Sequence, residues 1–151
     1  MDLQLKGKRA LVTGSTSGIG WAIARELAAE GASVIVNGRS AARLASAVER
    51  IHTEVRGADV DAVQADLSSV EGCLQLIAAA EDVDILVNNL GIFEPRPFEQ
   101  IGDDDWLRFF EVNVMSGVRL ARHHLLHEIG THVALPLLLR GPPRGFVLPC
   151  R

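Results

Sequence analysis

The segment RALVTGSTSGIGWAIARELAAEGASVIV constrains the fold more than any other part of the chain. A short apolar run (9–12) is stopped by a loop carrying Gly14, Gly18 and Gly20. An amphipathic stretch follows, with Ile19, Ile23 and Leu27 at helical spacing and Ala24 and Ala28 beside them, and then a second apolar run at 33–36. Short uninterrupted apolar runs suit strands buried on both faces, and a helix between two of them makes the crossover of a parallel unit. Gly31 stands where a left-handed helix cap is expected. Glycine in the loop permits positive φ and lets the backbone approach a ligand closely. The free N–H groups at the helix start then face an anion. The spacing is G-x-x-x-G-x-G rather than the commoner G-x-G-x-x-G. Taken alone, the loop would also serve as a strand-to-helix turn with no ligand.

The pattern continues along the chain. Ser40 is placed to cap a helix carrying Leu44, Val48 and Ile51 on one face. A weaker third strand is expected near 60–65. Ser68 and Glu71 read as a capping box before CLQLIAAA. VDILVNN (83–89) reads as a fourth strand. Beyond a proline-containing loop (94–97), Asp103, Asp104 and Asp105 open a long helix, where negative charge suits the helix dipole. That helix is expected to run unbroken through WLRFFEVNVMSGVRLARHHLL. The fold class that follows is α/β, with parallel βαβ units covered on both faces.

Charge narrows the partners. The net charge is −4. Residues 1–121 hold eleven Lys/Arg against eighteen Asp/Glu, a net −7, while residues 122–151 hold four Arg against one Glu, a net +3. An acidic body argues against a nucleic-acid surface, which needs clustered positive charge. No apolar run approaches the ~18–20 residues of a spanning helix, so no membrane partner is expected. The N-terminal residues lack the apolar core of a signal peptide. Two cysteines, Cys73 and Cys150, make no disulfide framework. A reduced, cytoplasmic setting is the expectation.

TGSTSGIG, NNLG (88–91) and the pair Asn113-Val114 occur in that order, and with them the chain resembles the short-chain dehydrogenase/reductase family from residue 5 to about 122. The resemblance implies a doubly wound fold, with strands three, two, one and four side by side. It also implies a nicotinamide dinucleotide in the crevice at the carboxyl ends of the strands. Carried over residue by residue, Gly14, Ser17, Gly18, Ile19 and Gly20 would line the pyrophosphate. Asp66 and Leu67 would border the adenine, Asn88 would approach the adenosine ribose, and Gly91 would leave room beside the nicotinamide half. Asn113 matches the helix asparagine that holds a water in the family's proton relay. Leu90 stands where the family commonly has alanine. Each assignment has a structural alternative: Asp66 capping a turn, or Asn88 and Asn89 satisfying backbone at a strand end.

Charge also bears on the cofactor. An acid about 20 residues past the glycine loop would accept bonds from a ribose 2′-hydroxyl. The stretch here is VNGRS, with no carboxylate and with Arg39 after Gly38. A guanidinium suits a 2′-phosphate, and the alternative is a solvated arginine at a helix start. NADP(H) is therefore favoured over NAD(H).

The resemblance implies a catalytic serine and a tyrosine followed four residues later by lysine, the lysine bringing a phenol of pKa about 10 into use near neutrality. This sequence has no tyrosine, its lysines are Lys6 and Lys8, and its last serine is Ser116. His123 and His127 are spaced i,i+4, but a third ligand at a sensible distance is missing, so no metal site is expected. The chain is thus read as the cofactor-binding part of such an enzyme (1–122), with at most cofactor binding retained, followed by an atypical tail (123–151). Four of the six prolines and four of the five histidines fall in that tail. A change of reading frame would explain so abrupt a shift. Divergence or deliberate truncation is the alternative. Two rival readings are a non-enzymatic dinucleotide-binding or interaction module, and a nonfunctional gene product. Self-association through an exposed sheet edge at the fourth strand is also expected.

Overall fold

The computed structural model describes residues 3–126. Strands and helices alternate: β1 (Arg9–Val12), α1 (Gly18–Ala29), β2 (Ser33–Gly38), α2 (Ala41–Glu54), β3 (Val60–Gln64), α3 (Val70–Ala79) and β4 (Ile85–Val87). A short 3-10 turn (Phe98–Gln100), α4 (Asp103–Phe110), a π-helical turn (Glu111–Met115) and α5 (Ser116–Leu126) follow. The strands are parallel in the order β3-β2-β1-β4, and Leu11 of β1 lies between Ile35 of β2 and Leu86 of β4.

The apolar runs are unbroken because both faces of the sheet are covered. Ala10, Val12, Val34 and Val36 pack on one side with Trp21, Ala24, Leu44 and Ile51 from α1 and α2. Leu11 and Ile35, the intervening residues, pack on the other side with Cys73 and Leu76 of α3 and Leu120 of α5. Successive side chains of a strand point to opposite faces, so one apolar run serves two cores. Burying each such Leu or Ile contributes about 1.5–3 kcal/mol.

Local punctuation explains the helix ends. Gly31 closes α1 at φ +90°, with its N–H donating to the Ala28 carbonyl and the Ala32 N–H to that of Leu27, the two-bond form of a left-handed cap. Ser40 accepts from the Arg43 N–H at the start of α2.

Four expectations need correction. Ile19 is not a core residue of α1; it is 77% exposed, and Trp21 takes the buried position with Ala24 and Ala28. The cap of α3 is Ser69, which accepts from the Gly72 N–H, because Ser68 is engaged by Asp66 Oδ1 through both its N–H and its hydroxyl. The fourth strand is three residues long, not seven. The long helix is not one α-helix. Between α4 and α5 the Ser116 N–H donates to the Glu111 carbonyl, one residue further back than α-helical pairing. The Ser116 hydroxyl takes the Val112 carbonyl at 2.6 Å. α5 continues through Leu126, as far as the expected helix. The rest of the tail, with His127, lies outside the described residues.

Candidate cofactor-binding site

Three strands bring their carboxyl ends to one place, and polar side chains tie them together. The Thr13 hydroxyl accepts from the N–H groups of Asn89 and Leu90 at 2.9 and 3.0 Å and donates to the Val87 carbonyl, which locks β1 to the turn after β4. On the other side, Asn37 Nδ2 donates to the carbonyls of Val63 and Ala65, and its Oδ1 accepts from the Gly14 N–H. The Ser15 hydroxyl accepts from the Asn37 N–H and donates to the Val12 carbonyl. Thr13, Ser15 and Asn37 are all buried. Such groups are retained in an interior because every polar atom finds a partner.

This framework fixes the loop between β1 and α1. Gly14 and Gly18 have φ of +59° and +60°. A Cβ on Gly20 would fall on Asn89 Nδ2 and 2.6 Å from the Gly14 carbonyl oxygen, so α1 starts this close to its own loop only because residue 20 is glycine. Ser17 sits at the N-cap position in extended conformation and makes no cap bond to the helix. Its hydroxyl accepts instead from Arg43 Nη2 at 3.1 Å. The first-turn N–H groups of α1 therefore have no side-chain acceptor, an arrangement that suits an anion.

A cleft of about 500 Å³ opens at these strand ends. Of the residues expected to hold a dinucleotide, Gly14, Arg39, Asp66, Leu67 and Gly91 line it. Ser17, Gly18 and Ile19 are exposed at the loop, and Gly20 is buried behind it. Asn88 lies deeper, its Nδ2 3.5 Å from the Gly117 carbonyl and its Oδ1 buried with no partner among the described residues. Asn113 is on the π turn. Its Oδ1 accepts from the Ile92 N–H at 2.7 Å and its Nδ2 donates to the Ile92 carbonyl at 3.1 Å, and Ile92 lines the cleft. The structural alternatives raised for Asp66 and Asn89 are realised. Asp66 holds the turn at Ser68, and Asn89 Nδ2 donates to the carbonyls of Thr13 and Gly14.

Two arginines give the cleft its charge. Arg39 and Arg43 both line it, and neither forms an ion pair among the described residues. Arg108, also in the lining, is already committed to Glu94 through bonds of 3.0 and 2.7 Å. That pairing raises the guanidinium's pKa and holds the Glu94 carboxyl below its usual value. Burial pushes the Cys73 thiol up, with Arg119 opposing only in part, so Cys73 is a packing residue rather than a nucleophile. A second, smaller cavity of about 110 Å³ lies beside α4, lined by Ile101, Trp106 and Phe109 among others. Among the described residues no group of three His, Cys, Asp or Glu could hold a metal, and no helix is long and apolar enough to cross a membrane.

The profile of the family described as short chain dehydrogenase matches residues 8–132. The chain belongs to the short-chain dehydrogenase family. It is 55% identical over 129 residues to the uncharacterized oxidoreductase YvaG of Bacillus subtilis (strain 168), covering 85% of this chain and 49% of that one. Among solved structures, it is similar to L-sorbose reductase from Gluconobacter frateurii complexed with NADPH and L-sorbose. The TM-score there is 0.78 with 35% identity, over 83% of this chain and 49% of the other. It is similar too to a 3-oxoacyl (acyl-carrier-protein) reductase from Agrobacterium tumefaciens C58 with NADP bound. That match has a TM-score of 0.75 and 35% identity, over 81% and 48% of the two chains. The chain spans about half the length of the curated relatives it matches.

The sequence does not mark Thr13, Asn37 or Arg43 as site residues. Thr13 lies inside the TGSTSGIG motif and Asn37 inside VNGRS, with no pattern that singles out either side chain. Nothing in the spacing of Arg43 signals that its side chain crosses from α2 to the glycine loop.

Proposed function

We propose that this chain is the dinucleotide-holding part of an NADP(H)-linked oxidoreductase interconverting carbonyls and alcohols, and that in its 151-residue form it binds the cofactor without turning it over. The observation that carries the reading is the cleft itself. Gly14 and Thr16 of the glycine loop line one opening at the strand ends together with Arg39 and Arg43, which form no ion pair among the described residues, and the first turn of α1 that follows this loop has no side-chain cap. Gly14, Ser17, Gly18, Ile19 and Gly20 would face the pyrophosphate, Asp66 and Leu67 the adenine, and Asn88 and Gly91 the ribose and nicotinamide side. Arg39 would meet the 2′-phosphate. The relatives solved with NADPH and NADP support the choice of cofactor class. The bound dinucleotide would supply a hydride, and Asn113 is the one residue of the family's proton relay identified in this chain.

Calorimetric titration tests the reading. NADPH is expected to bind more tightly than NADH, and Arg39→Asp is expected to weaken NADPH about tenfold or more, which is the loss of one charge-assisted contact. Tighter binding of NADH by the unmodified chain would overturn the choice of cofactor.

A second reading, an interaction module, draws on one feature. Trp106, Leu107, Phe110, Val114 and Val118 form an exposed apolar stripe along α4, the π turn and α5. An apolar face of this kind suits a partner helix or a second copy.

A further inference from the structure

We infer that Arg43 is a second recognition residue for the adenosine 2′-phosphate, held at the edge of the cleft by the Ser17 hydroxyl. The inference rests on the cofactor reading above and adds a residue that the glycine motif and Arg39 do not reveal. Arg43 stands on the first turn of α2, and its backbone N–H is taken by the Ser40 hydroxyl. Its side chain leaves α2 and reaches the loop before α1, where Nη2 donates to Ser17 Oγ at 3.1 Å. It thus spans the two loops that form one wall of the cleft. Those loops are close because residue 38 is glycine: a Cβ there would meet Thr16 Cγ2 at 2.5 Å.

A guanidinium carries five N–H donors in a fixed fork and prefers bidentate oxyanions. Here one donor is spent on a neutral hydroxyl, and no carboxylate among the described residues pairs with the charge. Arg39, in the same lining, is likewise without an ion pair among the described residues. Two guanidiniums in one cleft, neither ion-paired among the described residues, repel each other and attract an anion of more than one charge. A phosphate monoester on the ribose has that charge near neutrality, whereas the diester pyrophosphate is met by backbone N–H groups at the loop. Releasing Ser17 gives up one bond from the guanidinium to a neutral hydroxyl and gains bonds to an ionised oxyanion, in which both partners are charged and the fork can act bidentately.

The test uses the full chain and two probes, 2′,5′-ADP and 5′-AMP, titrated calorimetrically against the unmodified protein, Arg43→Gln and Arg39→Gln. Expected for Arg43→Gln is a loss of about tenfold in affinity for 2′,5′-ADP, with 5′-AMP changed less than about twofold. Arg43→Lys, which keeps the charge without the fork, should recover part of the loss, and it serves if the glutamine variant folds poorly. If Arg39→Gln alone weakens 2′,5′-ADP, the Arg43 inference is wrong while the cofactor reading stands. Equal weakening of both probes by Arg43→Gln would make Arg43 a brace for the loop and overturn its role in recognition. If the unmodified chain does not prefer 2′,5′-ADP to 5′-AMP, the cofactor reading falls first and takes the inference with it.

Discussion

The two sides of the sheet's midline are finished to different degrees. On the β1–β2 side, every residue from Ala10 to Val12 and from Val34 to Val36 is fully buried, and the polar groups at the strand ends are tied by Ser15 and Asn37. On the β4 side, the strand is three residues long, and among the described residues no strand pairs with its outer edge. The helical arm beyond it leaves Trp106 54%, Leu107 63% and Phe110 52% exposed. The chemistry of the residues is similar in both places. What differs is whether a second element arrives to cover them. Apolar side chains and strand edges on the first side find partners within the described chain. Those on the second side present what a neighbouring segment or molecule would cover.

The largest effect expected from this asymmetry is in catalysis. The finished side should bind cofactor, while hydride transfer to any carbonyl should stay at background. The 151-residue sequence has no tyrosine, and its lysines are near the N-terminus. Following NADPH oxidation over a carbonyl panel checks this. Turnover that persists in Asn113→Ala and through further purification would mean that another acid supplies the proton.

Next in size is damage to the finished side. Gly20→Ala drives a methyl into the Gly14 carbonyl and Asn89. It should cost about 1–3 kcal/mol in urea melts, the usual range for overpacking. Gly102→Ala is the matched control, since nothing lies near its added Cβ, and it should melt close to the unmodified chain.

A smaller and separable effect belongs to the open side. Phe110→Ser with Val114→Ser should lower self-association in sedimentation velocity and leave NADPH affinity unchanged. If association persists undiminished, the β4 edge rather than the stripe is the sticky surface, as the sequence alone had suggested.

The smallest effect concerns pH. Glu94 has its pKa lowered by the Arg108 pairing in the folded state. Its contribution is therefore present above the ordinary carboxylate pKa and is lost as pH falls through the lowered value. Both partners are exposed, so the contribution is weak. The stability difference between the unmodified chain and Glu94→Gln should vanish in acid, and a difference that grew on acidification would contradict the assigned pairing.

Much was legible in advance, and the physical reason is that the signals were local. A run such as ALV or VIV can be buried on both faces only in a covered parallel sheet, and Gly31 and Ser40 end and begin helices through bonds to near neighbours in the chain. Glycine at 14, 18 and 20 marked the loop because each position excludes a side chain for a geometric reason. The choice between Ser68 and Ser69 as the cap of α3 was not legible, because it depends on which of them Asp66 engages first. Nor was the π turn, which is pinned by Asn113 reaching a backbone group twenty-one residues away. Ile19 followed the helical period and still faces outward, since α1 begins so close to its own loop that the core is reached only from Trp21 onward. The sequence by itself determined the alternation of elements, the glycine loop and the family. Only the tertiary structure decided which side chains meet across the strand ends, because contacts such as Thr13 to Asn89, Asn37 to Val63 and Arg43 to Ser17 join residues whose proximity no local pattern encodes.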